Sequence, residues 1–133
     1  MRTPYKTFDD SITINGSPIN VEISIFVGED DLDPEGTFDC GDEVENEEYL
    51  ARFKSGELFM AVIGVEATAL DETGTDYLGG CHIHANSRYS NNQLSADVAY
   101  FVEAYTMVEN AKTELKDLII RKANQLARFA TEA

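Results

Sequence analysis

The chain has 133 residues, of which 43% are apolar, and its 25 acidic against 10 basic side chains give a formal net charge of −15. This length fits a single domain over residues 1–133 with a modest core, and the apolar fraction excludes a wholly disordered chain. Such a charge disfavours direct binding of nucleic acid or of an anionic membrane, because like charges repel. It favours a basic protein surface as the partner.

The expected cellular location, and the redox state expected for the cysteines, rest on features that the sequence lacks. No stretch reaches the roughly 18 apolar residues of a membrane span, and no signal peptide is recognisable after Met1. We therefore expect a cytoplasmic protein in which Cys40 and Cys81 are free thiols, with a single bridge between them as the alternative.

The first element in chain order is a β-hairpin with Asn15-Gly16 at its turn, since both residues tolerate the positive φ of a two-residue loop. That loop pairs Ile14 with Ser17. One face of the second strand is then apolar and buried, and the other is polar and wet. The apolar face comprises Ile19, Val21, Ile23, Ile25 and Val27.

Residues 29–48, the acidic segment, follow the hairpin, and no Lys or Arg lies between Lys6 and Arg52. A surface of such density would attract a basic partner, so we predict that its acids form the partner-binding site. They are Glu29, Asp30, Asp31, Asp33, Glu35, Asp39, Asp42, Glu43, Glu45, Glu47 and Glu48.

Within the acidic segment, DLDPEGTFDCGD (residues 31–42) resembles an EF-hand loop, and its final Asp makes it similar to the loops of dockerin-type modules. Gly36 stands at the sixth position, where the loop turns sharply. The resemblance implies calcium ligands at Asp31, Asp33, Glu35, the Thr37 carbonyl, Asp39 and Asp42. The alternative is a solvated acidic loop, because Pro34 holds Asp33 extended where the loop should curl.

The middle of the chain predicts a short helix in EEYLARFKSG, with Leu50 and Phe53 inward, and then a buried central strand in LFMAVIGVEATAL. DETGTD is expected to be a turn, and YLGGCHIH the returning strand. Its two glycines either weaken that strand or mark a bulge or a close contact. His82 and His84 share one strand face and could bind zinc with Asp76 as a third ligand. The alternative is a pair of surface histidines beside a buried Cys81.

Residues 91–131 are predicted to be helical, because no Gly or Pro follows Gly80 and apolar residues recur in steps of three and four. The aromatic and branched residues of VAYFVEAYTMV leave a strand as the alternative for the first half. Ser90 and Gln93 form a candidate capping box. A single helix of this length would outreach the domain, so it either breaks near Asn110 or projects and needs a partner. We expect a homodimer through this helix. The apolar positions include Leu115, Leu118, Ile119, Leu126 and Phe129.

The predicted fold is α+β: two antiparallel hairpins forming a sheet, a short helix between them, and a long C-terminal helix or helix pair packed on the sheet. In size, charge and layout the chain resembles small acidic proteins of phages and mobile elements, among them anti-restriction and anti-CRISPR inhibitors that mimic nucleic acid. The resemblance implies an inhibitor that docks on a nucleic-acid-binding protein.

We expect a non-enzymatic binding protein without catalytic residues or a cofactor, because the chain has no phosphate-binding glycine loop, no G-x-S-x-G and no C-x-x-C. Three alternatives remain. They are a calcium-binding module through residues 31–42, an acidic dimeric chaperone or assembly protein, and a metal-dependent enzyme using His82 and His84.

Overall fold

The computed structural model describes residues 4–29, 43–84 and 95–132, and it confirms the α+β prediction. The four strands form one antiparallel sheet in the order β1-β2-β3-β4. In chain order the elements are β1 (Lys6–Ile14), β2 (Ser17–Glu29), α1 (Glu43–Lys54), β3 (Leu58–Ala69), β4 (Glu72–His84), α2 (Ala96–Ala104) and α3 (Met107–Glu132).

The β1–β2 hairpin has the predicted register, with Ile14 opposite Ser17. Asn15 and Gly16 take φ of 51° and 79°, the left-handed pair that lets a two-residue loop follow the twist of the strands. A second two-residue turn, at Leu70 and Asp71, joins β3 to β4. Because the strands are antiparallel, both turns lie at one end of the sheet, which we call the turn end.

The core lies between α2, α3 and one side of the sheet, the helix face. Branched aliphatic side chains from β2, β3 and β4 supply most of its volume, as strands of this composition favour. The predicted apolar face of β2 lies here. Fully buried members include Val21, Ile23, Ile25, Ile63, Val65, Ile83, Val98, Met107 and Leu115.

Two predictions concern β4, namely the bulge at its glycines and the turn that precedes it. The expected bulge is present, because the pairing with β3 shifts register between Ala61 and Ile63 and Gly80 takes a φ of 68°. The turn predicted over DETGTD is wrong, because β4 already begins at Glu72. Gly74 lies within the strand, at a position where α3 packs directly on its backbone and leaves no room for a side chain.

The C-terminal helical region breaks as predicted, but at Tyr105 and Thr106 rather than at Asn110. Thr106 takes a φ of 48°, and the side chain of Asn110 donates to the Tyr105 carbonyl at 3.0 Å. The first helix begins after Ser95, whose hydroxyl accepts from the backbone N–H of Val98 at 3.4 Å. The predicted capping box of Ser90 and Gln93 lies outside the described residues.

None of the helices in the described ranges is both long enough and apolar enough to cross a membrane.

Candidate functional site

The side of the sheet opposite the helix face, which we call the open face, carries acidic side chains on neighbouring strands. Asp9 of β1 and Glu22 of β2 are exposed and stand directly opposite each other in the strand register. Glu66 of β3 extends the group, because its cross-strand partner Ser24 is two residues from Glu22 on β2. Among the described strand residues on this face there is no Lys or Arg.

The opposed pair of Asp9 and Glu22 is electrostatically unfavourable. Like charges directly across an antiparallel pair destabilise a sheet, and their Cβ atoms lie only about 5 Å apart. On the helix face the adjacent Asp10 has the opposite arrangement, because the Lys112 ammonium lies 3.1 Å from its carboxylate. Among the described side chains of this hairpin, Asp10 is therefore paired with a cation, whereas the opposed Asp9 and Glu22 make no ion pair.

One exposed aromatic ring accompanies these acids. Tyr77 is 50% exposed, and its ring lies flat on Gly64, where an added Cβ would come within 2.6 Å of it. The Tyr77 hydroxyl donates to Glu66 at 3.4 Å. The open face thus offers an amphipathic ring beside carboxylates, a combination suited to cationic side chains.

Helix α1 packs on the same side of the sheet, at the end away from the turns. The rings of Phe53 and His82 meet edge to face, with centroids 5.2 Å apart. Burial lowers the pKa of His82, because the half-buried ring loses solvation of its charged form. The inward orientation predicted for Phe53 is thereby confirmed.

A polar chain ties α1 to the end of β4 and to the start of α2. Asp97 accepts from both the backbone N–H and Nδ1 of His84, each at 2.8 Å. The Nε2 of His84 then accepts from Arg52 at 3.3 Å, and Arg52 also pairs with Glu57 at 3.1 Å.

The predicted partner-binding acids are only partly within the described chain. Glu47 and Glu48 are exposed on α1, Glu29 ends β2, and Glu43 and Glu45 belong to the first turn of α1. Asp30, Asp31, Asp33, Glu35, Asp39 and Asp42 lie outside the described residues. The resemblance to a calcium loop, with the Thr37 carbonyl as a ligand, falls in the same part of the chain.

The metal site considered for the two histidines is not assembled with the proposed third ligand. His82 and His84 lie on the open side of β4, whereas Asp76 lies on the helix face, where the side chain of Asn110 donates to it at 3.0 Å. Within the described ranges, no group of three metal-binding side chains comes together. The neighbouring Cys81 is buried, as predicted.

The end of α3 is the second exposed feature. Residues 120–130, which we call the arm, are all exposed and carry three basic and no acidic side chains. Leu126 and Phe129 are 62% and 75% exposed. They continue the helical stripe that Leu115 and Ile119 bury against the sheet, because the steps between these residues are four, seven and three.

Sequence reasoning missed the acids of the open face as binding residues, although a signal was present. The predicted alternation of β2 places Glu22 on the wet face, and the predicted pairing of Ile14 with Ser17 sets Asp9 opposite it. Glu66 could not be placed, because the order of strands in the sheet was not predicted.

Comparison of the chain with protein-family models, with curated proteins and with solved structures found no match.

Proposed function

We propose that this protein is a non-enzymatic binding protein whose open face and acidic segment dock on a basic protein surface. The proposal is carried by the uncompensated carboxylates of Asp9 and Glu22, which stand opposite each other at a cost to the stability of the sheet. A lysine or arginine of a partner placed over the pair would remove that repulsion. The free energy lost in folding would then be regained in binding.

The described end of the acidic segment lies in α1, which packs on the open side of the sheet through Phe53. Glu47 and Glu48 of this helix are exposed. A partner covering the open face would therefore meet both sets of carboxylates.

The class of partner follows from the distribution of charge. A protein groove that holds DNA or RNA presents rows of lysines and arginines to closely spaced phosphates. A sheet face with carboxylates on neighbouring strands and one aromatic ring offers such a groove a similar set of contacts. The protein would then act as an inhibitor, because it and the nucleic acid compete for the groove.

The test is capture of basic proteins from a cell lysate at about 50 mM and about 500 mM NaCl, with elution by duplex DNA or by RNA. The informative variant neutralises the open face through Asp9→Asn, Glu22→Gln and Glu66→Gln. A matched control removes the same number of charges elsewhere, through Glu103→Gln, Glu114→Gln and Asp117→Asn. Both variants have the same net charge, so a general ion-exchange effect would act on them equally.

We expect wild type and control to retain nucleic-acid-binding proteins at low salt, to release them at high salt, and to lose them to the nucleic acid. The open-face variant should retain at most about a tenth as much. Capture that is equal at both salt concentrations, that resists nucleic acid, or that is weakened equally in both variants would contradict the proposal.

A further inference from the structure

The open face holds one aromatic side chain in a flat orientation. Tyr77 of β4 stands opposite Gly64 of β3 in the strand register, and its ring lies over the glycine. A Cβ added at Gly64 would come to 2.6 Å from one ring carbon and 2.7 Å from another, so a side chain there would displace the ring. The inner ring face is thus turned to the backbone of β3. Tyr77 is 50% exposed, which leaves its outer ring face accessible to a partner.

A hydrogen bond sets a carboxylate at the rim of this ring. The Tyr77 hydroxyl donates to Oε2 of Glu66 at 3.4 Å, and Glu66 follows Gly64 on the same face of the same strand. A carboxylate offers about four acceptor positions, so it can bind a phenol and a cationic group together. The ring and the carboxylate therefore form one site, which we call the Tyr77 platform (Tyr77, Glu66 and Gly64).

The charge around the Tyr77 platform selects a cation as its occupant. Asp9 and Glu22 lie on the same face, and the described strand residues of that face include no Lys or Arg. A phosphate or a carboxylate group would be repelled here, whereas a cationic side chain is attracted by the carboxylates and by the face of the ring. The occupant is therefore a basic side chain of the partner.

Lysine and arginine use such a platform differently. The guanidinium of arginine is planar and weakly hydrated, so it stacks on an aromatic face while its N–H groups point outward to a carboxylate at the rim. The ammonium of lysine is a compact and strongly hydrated charge, so it gains the attraction of the carboxylate but little from the flat ring. A ring beside a carboxylate therefore favours arginine.

We propose, as a step that rests on the proposed function, that the open face selects arginine over lysine in its basic partner and that Tyr77 determines this specificity. The guanidinium stacks on the outer face of Tyr77 and donates to Glu66. The opposed Asp9 and Glu22 lie about 10 Å from Glu66, because they are displaced from it both across the sheet and along the strands. They bind a second basic side chain of either kind, so the partner presents two cations at about this separation.

The experiment compares two labelled peptides by fluorescence anisotropy at about 50 mM NaCl. The peptides have the same length and the same charge, and they carry either arginines or lysines as their only charged residues, spaced by Gly and Ser. We expect wild type to bind the arginine peptide about fivefold more tightly, because stacking of a guanidinium on one ring contributes an affinity difference of this order.

Variants of Tyr77 assign the preference to the ring. Tyr77→Leu keeps an apolar side chain beside Gly64, and it should lower the affinity for the arginine peptide to that for the lysine peptide. Its affinity for the lysine peptide should change by less than about twofold. Tyr77→Phe retains the ring and should retain most of the preference. The control is Tyr100→Leu, which removes an exposed ring from α2 and should bind both peptides as wild type does.

Arginine selection would be overturned if wild type bound both peptides equally, if Tyr77→Leu retained the preference, or if that variant weakened both peptides alike. The comparison on wild type needs no variant, so it decides even where circular dichroism shows that Tyr77→Leu does not fold. Equal binding of both peptides that is lost in the open-face variant (Asp9→Asn, Glu22→Gln and Glu66→Gln) would leave the proposed function standing. Peptide binding that survives in the open-face variant would contradict the proposed function itself.

Discussion

Gly74 is the position at which the backbone of α3 comes closest to β4. A Cβ added there would meet the Ala111 carbonyl and the backbone of Leu115, including its Cα at 2.9 Å. Because these are backbone atoms in a packed helix, they cannot move aside as a flexible side chain could. We expect Gly74→Ala to lower the free energy of unfolding by about 2–4 kcal/mol, measured by urea denaturation.

Gly28→Ala provides the matched control for this prediction. Gly28 also lies in a strand, but no atom comes within 4 Å of the added Cβ, and its φ is not left-handed. Its effect should stay within about 0.5 kcal/mol of zero. If both variants lost the same free energy of unfolding, the cost of replacing Gly74 would come from strand propensity and not from the contact with α3.

Asp10 connects the edge strand β1 to α3, and its ionisation makes the stability of the fold depend on pH. The pKa of its carboxyl is lowered below the ordinary 3.8 by the backbone N–H of Ser11 and by the Lys112 ammonium. Burial opposes the charge of Lys112, but its bonds to Asp10 and Glu109 outweigh burial and raise its pKa above 10.5.

A carboxyl with a depressed pKa contributes stability above its unfolded pKa and loses it as pH falls through the folded value. Asp10→Asn should therefore cost about 0.5–1 kcal/mol at pH 7, with the difference from wild type vanishing in acid. Urea denaturation at several pH values between about 7 and 3 measures this difference. A difference that is independent of pH would show that the ion pair contributes nothing.

At the level of elements, the sequence was most informative where a rule is local. The Asn15-Gly16 loop determines the register of its own hairpin, and that register was predicted correctly. The start of β4 was not, because Gly74 reads as a turn residue unless the approach of α3 is known. Thr106 likewise has no local sequence signal for its left-handed φ. The break in the helix depends on Asn110, whose side chain donates hydrogen bonds to the Tyr105 carbonyl and to Asp76 of β4.

The attachment of α1 to the sheet should depend on pH through His82. Burial against Phe53 lowers the pKa of this histidine below 6.5 in the folded protein. The unfolded chain therefore binds the proton more readily. The stability that neutral His82 contributes is complete above about pH 6.5. It is lost as the pH falls towards the pKa of His82 in the folded protein.

His82→Phe keeps an aromatic ring against Phe53 and removes the titration. We expect unfolding measured by circular dichroism to show a shallower loss of stability between about pH 7 and pH 5 in this variant than in wild type. His84→Gln removes the other histidine and should retain the steeper loss due to His82. Identical pH profiles for wild type and His82→Phe would exclude the proposed linkage.

At the scale of the whole molecule, the described strands carry Asp9, Glu22 and Glu66 on the open face and no Lys or Arg there, while three cations pair with acids elsewhere. Lys112 pairs with Asp10 across the helix face, Arg52 pairs with Glu57, and Lys122 pairs with Glu72 at the root of the arm. None of these three lies on the strands of the open face. Segregation of this kind costs stability through self-repulsion, and it is what an exposed docking surface for a cationic partner requires.

This self-repulsion predicts a salt effect that depends on pH. At pH 7 the net charge of −15 opposes compaction, so raising NaCl from about 20 mM to about 500 mM should raise the melting temperature by several degrees. Near the isoelectric point of about 4.2 the same addition should have little effect, because there is little net charge to screen.

The open-face variant with Asp9→Asn, Glu22→Gln and Glu66→Gln should gain less from salt at pH 7 than the control neutralised at Glu103, Glu114 and Asp117. If the two respond equally, repulsion is spread over the surface and the opposed carboxylates of the open face have no special role, which would remove the main physical support for docking there.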